Sequence, residues 1–329
     1  MRPRVFITQP VSASAVARLR AVADVTMNPD MLHIARKDEL TAAARSHDVL
    51  FCLLHDRIDR EVIAANPKLK VIASTTVTPA DIDTAEATRL GIPVTVVPSA
   101  LLDDATADLA WALLFAVGRR VVEADRLARA GIIPGSQSNF LAASGISGKT
   151  LGILGVGGVG RGMAQRATGF PMKRCYHDPR RLPAEDEAAL GLTWLPFDEL
   201  LATVDYLSVH VNLKPKTRHL IGARELALMK PTAHLINTAR GPLIDENALV
   251  EALQQHRIAG AGLDVFEHEP GIHPMLLGMP NVVVTAHMGS AVGDLREAMA
   301  GVAVDNILAV LNGSPAPNCW NPEVYSRMA

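Results

Sequence analysis

The sequence predicts an α/β protein of two domains built on parallel sheets, and three observations carry the prediction. Short apolar runs alternate with amphipathic, helix-like segments almost from end to end, the pattern of strands joined by helical crossovers. The runs fall into two series on either side of one long helical stretch. The chain has 329 residues, more than a single core of about 250–300 residues accommodates.

The first series places strands at residues 5–8, 49–54, 71–74 and 93–97, with helices at 14–20, 38–45 and 83–90. Residues 104–129 then read as one helix, free of proline and with only Gly118 inside it. The second series places strands at 151–156, 174–177, 206–211, 234–238, 260–265 and 282–285. Its helices fall at 158–168, 198–202, 224–229 and 246–256. A last helix, about 294–311, is stopped by Asn312-Gly313 and the prolines beyond. Periodicity leaves two readings of it open: an ordinary terminal helix, the commoner case, or a return of the chain to finish the first domain.

Composition excludes several function classes. Hydrophobic residues make up 49% and charged residues 20% of the chain, a globular profile with ample material for cores. A formal net charge of -2 provides no basic field for nucleic acid or an anionic membrane. The cysteines, Cys52, Cys175 and Cys319, are odd in number and far apart, which argues against a disulfide framework or a zinc cluster and for a reducing compartment. The N-terminus runs straight into an apolar strand rather than an export leader, and the longest apolar run, 109–117, is far short of the ~20 residues that cross a bilayer. The expectation is a cytoplasmic protein without a metal centre.

The strand at 151–156 leads directly into Gly155-x-Gly157-x-x-Gly160. Each glycine answers a separate demand: Gly155 the tight turn, Gly157 the approach of backbone to a pyrophosphate, Gly160 the packing of helix on strand. The helix starting at Gly158 and Val159 offers N–H groups and a positive dipole end to phosphates. A bare glycine pattern recurs by chance, but here strand, helix and a second strand are all present. That second strand ends in Asp178, eighteen residues beyond Gly160, near the ~20 expected for the acid that binds the adenosine ribose. These features predict a Rossmann-type domain. Asp178 favours NAD by repelling a 2′-phosphate, while Arg180 and Arg181, read most simply as solvated charges, leave NADP open.

Three further clusters follow in order, each just past the end of an apolar strand: Ile236-Asn-Thr-Ala-Arg240-Gly, Gly262-Leu-Asp264-Val-Phe-Glu-His-Glu269-Pro270 and Val284-Thr-Ala-His287-Met-Gly-Ser290. Together with the glycine turn, these residues resemble the D-isomer-specific 2-hydroxyacid dehydrogenases, over essentially the whole chain and most densely from Gly148 to Ser290. The resemblance implies a flavodoxin-like substrate domain from residues 1–100 and 291–329 around a dinucleotide domain at 101–290. It implies that His287 is the general acid/base, suited by an imidazole's titration near neutral pH, and that Glu269 is its carboxylate partner. Arg240 then holds the substrate carboxylate and polarises its carbonyl through a two-pronged donor.

The same resemblance lays Thr106, Val211, Thr217, Thr238, Ala239, Arg240, Asp264 and His287 along the cofactor, and Val77 and Thr78 with Arg240 and His287 around the substrate. It implies a homodimer, with residues 130–146 where an arm meets the partner. Taken singly, Arg240 reads as an ion-pair partner, Glu269 as a loop acid, and His287 as one ordinary histidine among 11. His55, His177, His210, His256, His268 and His273 receive no role.

The chain departs from the family in one place that matters. Where relatives carry glycines in the carboxylate-binding loop of the first domain, this sequence has Thr76 and Thr78, followed by Pro79. Pro79 donates no N–H and pushes Thr78 towards an extended backbone; Val77 and Thr78 keep their N–H groups. Ala286 and Asn212 stand where proline is common, which touches pocket walls more than chemistry. The sequence therefore predicts an NAD-linked reductase of a small 2-keto acid, with glyoxylate and hydroxypyruvate foremost. Formate and phosphite are disfavoured, the latter because Val77 stands where a lysine is wanted. An NADH-sensing binding protein on the same fold is the alternative of a different class.

Overall fold

The computed structural model describes residues 2–133, 135 and 139–326, and the chain divides into two compact units, Met1–Leu101 with Ala291–Ala329, and Leu102–Ser290. In the first unit the order is β1 (Arg4–Ile7), α1 (Ala13–Val22), β2 (Asp24–Met27), α2 (Lys37–Ser46), β3 (Val49–Cys52), α3 (Arg60–Ala64), β4 (Val71–Ser74), α4 (Thr84–Arg89) and β5 (Val94–Thr95). Its strands are all parallel in the order β2-β1-β3-β4-β5, the flavodoxin-like arrangement. β3 and β4 are buried along their whole length and apolar except for Ser74 at the end of β4, as parallel strands covered on both faces must be. Side chains that the sequence supplies at Ser12, Asp59 and Asp83 accept from first-turn N–H groups and start α1, α3 and α4.

The second unit runs α5 (Asp103–Gly118), α6 (Val121–Arg129), β6 (Thr150–Leu154), α7 (Gly158–Arg166), β7 (Lys173–His177), α8 (Ala184–Leu190), β8 (Thr193–Trp194), α9 (Phe197–Thr203), β9 (Tyr206–Val209), α10 (Ala223–Leu228), β10 (His234–Asn237), α11 (Glu246–Gln254), β11 (Gly260–Leu263), α12 (Pro274–Gly278) and β12 (Val282–Val284). Seven parallel strands lie in the order β12-β11-β10-β9-β6-β7-β8, the Rossmann order with one strand added at an edge. The order reverses between β6 and β9, and the crevice at the carboxyl ends there is where such a sheet receives its ligand. Leu154, Leu207, Val209, Leu235 and Leu263 fill one face of the sheet, while Leu151, Ile153 and Ile236 pack with Ala110 and Leu114 of α5 on the other.

α13 (Gly293–Leu311) and α14 (Glu323–Ser326) belong to the first unit. α13 contributes Ala300, Ala303, Val304 and Ile307 to a core shared with Val5, Ile7, Val49, Phe51 and Val71. The segment after it follows β5, with Val96 N–H donating to the Asn318 carbonyl at 3.1 Å and Trp320 N–H to the Val94 carbonyl at 2.8 Å. Asn321, 3% exposed, accepts from Val94 N–H at 2.8 Å and donates to Thr88 Oγ1 and the Ile92 carbonyl. These bonds cover the sheet edge that β5 would otherwise expose.

The single helix expected over residues 104–129 is two. α5 ends at Gly118, where a Cβ would meet the Tyr206 hydroxyl at 2.5 Å, and Arg120 takes a left-handed φ of 53°. An ion pair to Glu123 at 2.7 Å secures that break, so a tertiary contact and a side-chain pair override a continuous helical pattern. Sequence periodicity also misses β2, a half-exposed edge strand, and β8, which is only two residues long. α3, α8 and α12 are one or two turns each and too short for a helical period to show. Among the described residues no helix is long and apolar enough to cross a membrane. Residues 134 and 136–138 of the expected arm lie outside the described residues.

Candidate active site

Three residues turn the chain from β6 into α7. Gly155 has a φ of 90°, and a Cβ on it would meet the His210 carbonyl oxygen at 2.7 Å, so conformation and space both demand glycine. A Cβ at Gly160 would overlap the Gly155 carbonyl oxygen, and one at Gly158 the Asp103 carboxylate. Gly157 is different, since nothing lies within 4 Å of the place its Cβ would take. It is the one glycine of the turn that the protein's own packing does not explain. The first-turn N–H groups of Gly158 and Val159 lie beyond the reach of any helical carbonyl.

Asp178, at the end of β7, is fixed beside this turn. Its Oδ2 accepts from Val156 N–H at 3.2 Å and its Oδ1 from Arg180 N–H at 3.0 Å. Arg181 is committed elsewhere: Nε and Nη2 donate to Glu187 at 2.8 and 2.9 Å, and the guanidinium lies 5.9 Å above the Trp194 ring. Arg181 and then the Tyr176 hydroxyl hold the Glu187 carboxyl down to about 2, so the pair persists at neutral pH. Sequence reasoning missed Glu187 and Trp194 because neither belongs to a local pattern.

Arg240 stands just past β10 on a turn made by Asn237, whose Oδ1 accepts from Ala239 N–H and whose Nδ2 donates to the Arg240 carbonyl, both at 3.0 Å. Its guanidinium Nη1 donates to the Ala239 carbonyl at 2.7 Å, which gives a long side chain one anchored direction. A Cβ at Gly241 would overlap the Phe266 carbonyl, so the loops after β10 and β11 interlock there. In the second loop Glu269 Oε1 accepts from Phe266 N–H at 2.8 Å, and Oε2 pairs with His287 Nδ1 at 2.7 Å.

His287 has a φ of 49°, a conformation uncommon for a residue with a Cβ. Asp264 enforces it. The Asp264 carbonyl accepts from His287 N–H at 2.8 Å, and its carboxylate accepts from the Thr285 hydroxyl at 2.6 Å, Met288 N–H at 2.8 Å and Gly289 N–H at 3.0 Å. Burial pushes the Asp264 carboxyl up, against the pull of the Thr285 hydrogen bond and of His287. Asp264 thus builds the turn that presents His287.

Other residues expected along the cofactor gather nearby. The Thr106 hydroxyl and the Asp264 carboxylate flank Gly289, 3.4 and 3.6 Å from where its Cβ would stand. The Thr238 hydroxyl is buried with no hydrogen-bond partner among the described residues. Val211 closes on Gly155. The Thr217 hydroxyl, by contrast, serves its own loop, accepting from Lys214 N–H and donating to the Asn212 carbonyl. Two of the other histidines are scaffold: burial drives His210 down to about 3 and His234 to about 4, so both are neutral.

Val77 and Thr78 lie in the first unit, after β4. Thr76 donates to the Thr78 carbonyl at 2.8 Å, bonds the Ser74 hydroxyl at 2.7 Å, and receives Val97 N–H on its own carbonyl. The loop needs no positive φ at residues 75–80, which explains why threonines replace glycines: hydroxyl bonds set its shape instead of backbone freedom. Among the described residues nothing accepts from the N–H groups of Val77 and Thr78.

Comparison with known proteins adds an independent finding. Residues 111–289 match the family described as D-isomer specific 2-hydroxyacid dehydrogenase, NAD binding domain. The chain is similar to glyoxylate reductase of Thermococcus litoralis, 43% identical over 99% of both chains. It is similar to the crystal structure of the TT0316 protein from Thermus thermophilus, with a TM-score of 0.86 and 40% identity, covering 96% of this chain and 99% of that one. It also resembles an NADPH-dependent glyoxylate/hydroxypyruvate reductase from Sinorhizobium meliloti solved with NADP and malonate, with a TM-score of 0.80, 30% identity and 98% of each chain covered.

Proposed function

Because the chain belongs to the D-isomer-specific 2-hydroxyacid dehydrogenase family and interconverts a 2-keto acid and a 2-hydroxy acid, we propose that it reduces glyoxylate, and with it hydroxypyruvate, using His287 as the acid. The observation that carries this reading is the 2.7 Å pair between His287 Nδ1 and Glu269 Oε2 on a turn fixed by Asp264. With Nδ1 so engaged, Nε2 is the nitrogen that gives a proton to the ketone oxygen in reduction and takes it back in oxidation. Glu269 orients the ring and stabilises the imidazolium. Arg240 binds the substrate carboxylate and draws electron density from the carbonyl. Val77 and Thr78 supply backbone N–H donors to that carboxylate. The nicotinamide, when bound, supplies the hydride.

The residues fit the cofactor: an open Gly157, a fixed ribose acid in Asp178, and a buried hydroxyl at Thr238 that wants a partner. Gly157→Ala is expected to leave the melting temperature unchanged and to weaken NADH binding about 10-fold or more, because the added methyl projects where the pyrophosphate approaches. Fluorescence titration checks this, and wild-type affinity would place the phosphates elsewhere. Asp178, together with the capture of Arg181 by Glu187, supports NADH as the preferred coenzyme, while Arg180 keeps NADPH as the weaker one.

The test is NADH and NADPH oxidation measured against a panel of 2-keto acids. Turnover of glyoxylate with NADH is expected; tight NADH binding with no turnover of any keto acid would make the protein a sensor instead. Whole-chain glyoxylate reductase relatives and the intact His287–Glu269 pair disfavour that sensor, and formate or phosphite as substrate. We further place the protein in the cytoplasm as a homodimer joined through its second unit. Val121, Ile132, Ile133 and Phe140 are exposed there, apolar side chains of the kind a partner covers. A sedimentation mass of one chain would exclude the dimer.

A further inference from the structure

We propose that Glu246 and Glu267, two buried acids outside the reacting groups, form a strut that sets Arg240 and Glu269 in register; this rests on the assignment of Glu269 and His287 as the acid/base pair. Glu246 is 5% exposed, and the Glu267 side chain likewise 5%. Their bonds are reciprocal: Glu267 N–H donates to Glu246 Oε1 at 2.6 Å, and Glu246 N–H to Glu267 Oε2 at 3.4 Å. Glu267 Oε1 also receives His219 Nε2 at 2.6 Å and the Arg218 guanidinium. His268 and His273 are the other titratable groups near Glu246.

Stability alone does not account for this arrangement. Burial pushes the Glu246 carboxyl up and the neighbouring Glu267 adds to the rise, whereas His219 and Arg218 hold the Glu267 carboxyl down despite its burial, so the cost of keeping the two acids close falls on Glu246. α11 has no need of Glu246 as a cap, because Asp245 already accepts from Ala248 N–H at 3.1 Å. What the acids do fix is the peptide between Phe266 and Glu267. The Phe266 N–H holds Glu269 Oε1 at 2.8 Å, and the Phe266 carbonyl abuts Gly241, next to Arg240. Any shift of Glu267 is therefore felt by the substrate's cationic anchor and by the partner of His287 at once.

The experiment compares Glu246→Ala, Glu267→Ala and the isosteric Glu246→Gln with wild type and Glu269→Gln. It reads kcat and KM for glyoxylate across pH, and the dissociation constant of NADH. Both alanine variants are expected to lose roughly 10- to 100-fold in kcat, the scale of a misplacement near 1 Å, with NADH affinity within about 2-fold of wild type. The alkaline limb of kcat should move to lower pH in them as it does in Glu269→Gln, and Glu246→Gln, which still accepts from Glu267 N–H, should recover most of the rate. Alanine variants with wild-type kcat, or with NADH affinity lost in the same proportion as rate, would overturn the strut. A wild type that turns over while Glu269→Gln is unaffected would overturn the acid/base assignment itself, and the strut with it.

Discussion

Replacing His287 with alanine is expected to lower kcat for glyoxylate reduction by about 10²–10⁴-fold, the usual worth of a positioned general acid, while NADH binds nearly as before. In the proposed mechanism the carbonyl oxygen gains a proton as the hydride arrives, and the ring held by Glu269 at 2.7 Å is the group assigned to deliver it. Alanine has a second effect, because position 287 sits at a φ of 49°, a left-handed conformation that histidine adopts more readily than alanine. His287→Asn separates the two, since asparagine tolerates the left-handed region yet cannot act as the acid. Equal losses in both variants assign the effect to proton transfer. Activity within a few-fold of wild type in the asparagine variant would mean the proton comes from elsewhere.

Arg240→Ala is expected to reduce kcat/KM for glyoxylate by about 10²–10³-fold, the scale seen when one donor to a developing oxyanion is removed. KM should rise and kcat fall together, because one guanidinium both anchors the carboxylate and polarises the carbonyl. Arg240→Lys keeps the charge but not the planar fork, so it should recover only a minor part of the loss. The bond from Nη1 to the Ala239 carbonyl at 2.7 Å sharpens this expectation, since it preorganises arginine in a way that an ammonium on a flexible stem does not match. Steady-state kinetics over a range of glyoxylate concentrations decide it; an unchanged KM in Arg240→Lys would remove the forked grip from the mechanism.

Much of the site was legible because its constraints are local. The turn at Gly155–Gly160 reads directly from a strand, three glycines and a helix start, and packing within the protein explains Gly155 and Gly160. Asp178 follows at a spacing set by one helix and one strand. The family resemblance supplied Arg240, Glu269 and His287 as three separate clusters; the structure gives the Glu269–His287 contact and the interlock at Gly241. The carboxylate-binding loop was legible only as a departure. Its threonines replace the family's glycines in sequence, and in the structure the Thr76 hydroxyl braces the loop.

The sequence by itself determined the alternation of strands and helices, the parallel sheets and the dinucleotide turn, because periodicity, glycine and proline act within a few residues. Only the tertiary structure decided the break at Arg120 and the edge strands β2 and β8. It alone also decided the pairing of Arg181 with Glu187 and of Glu246 with Glu267. Each of these depends on a partner distant in sequence, and the free energy that settles it, from a buried apolar face, an ion pair or a backbone contact, does not exist until the chain has brought the partners together.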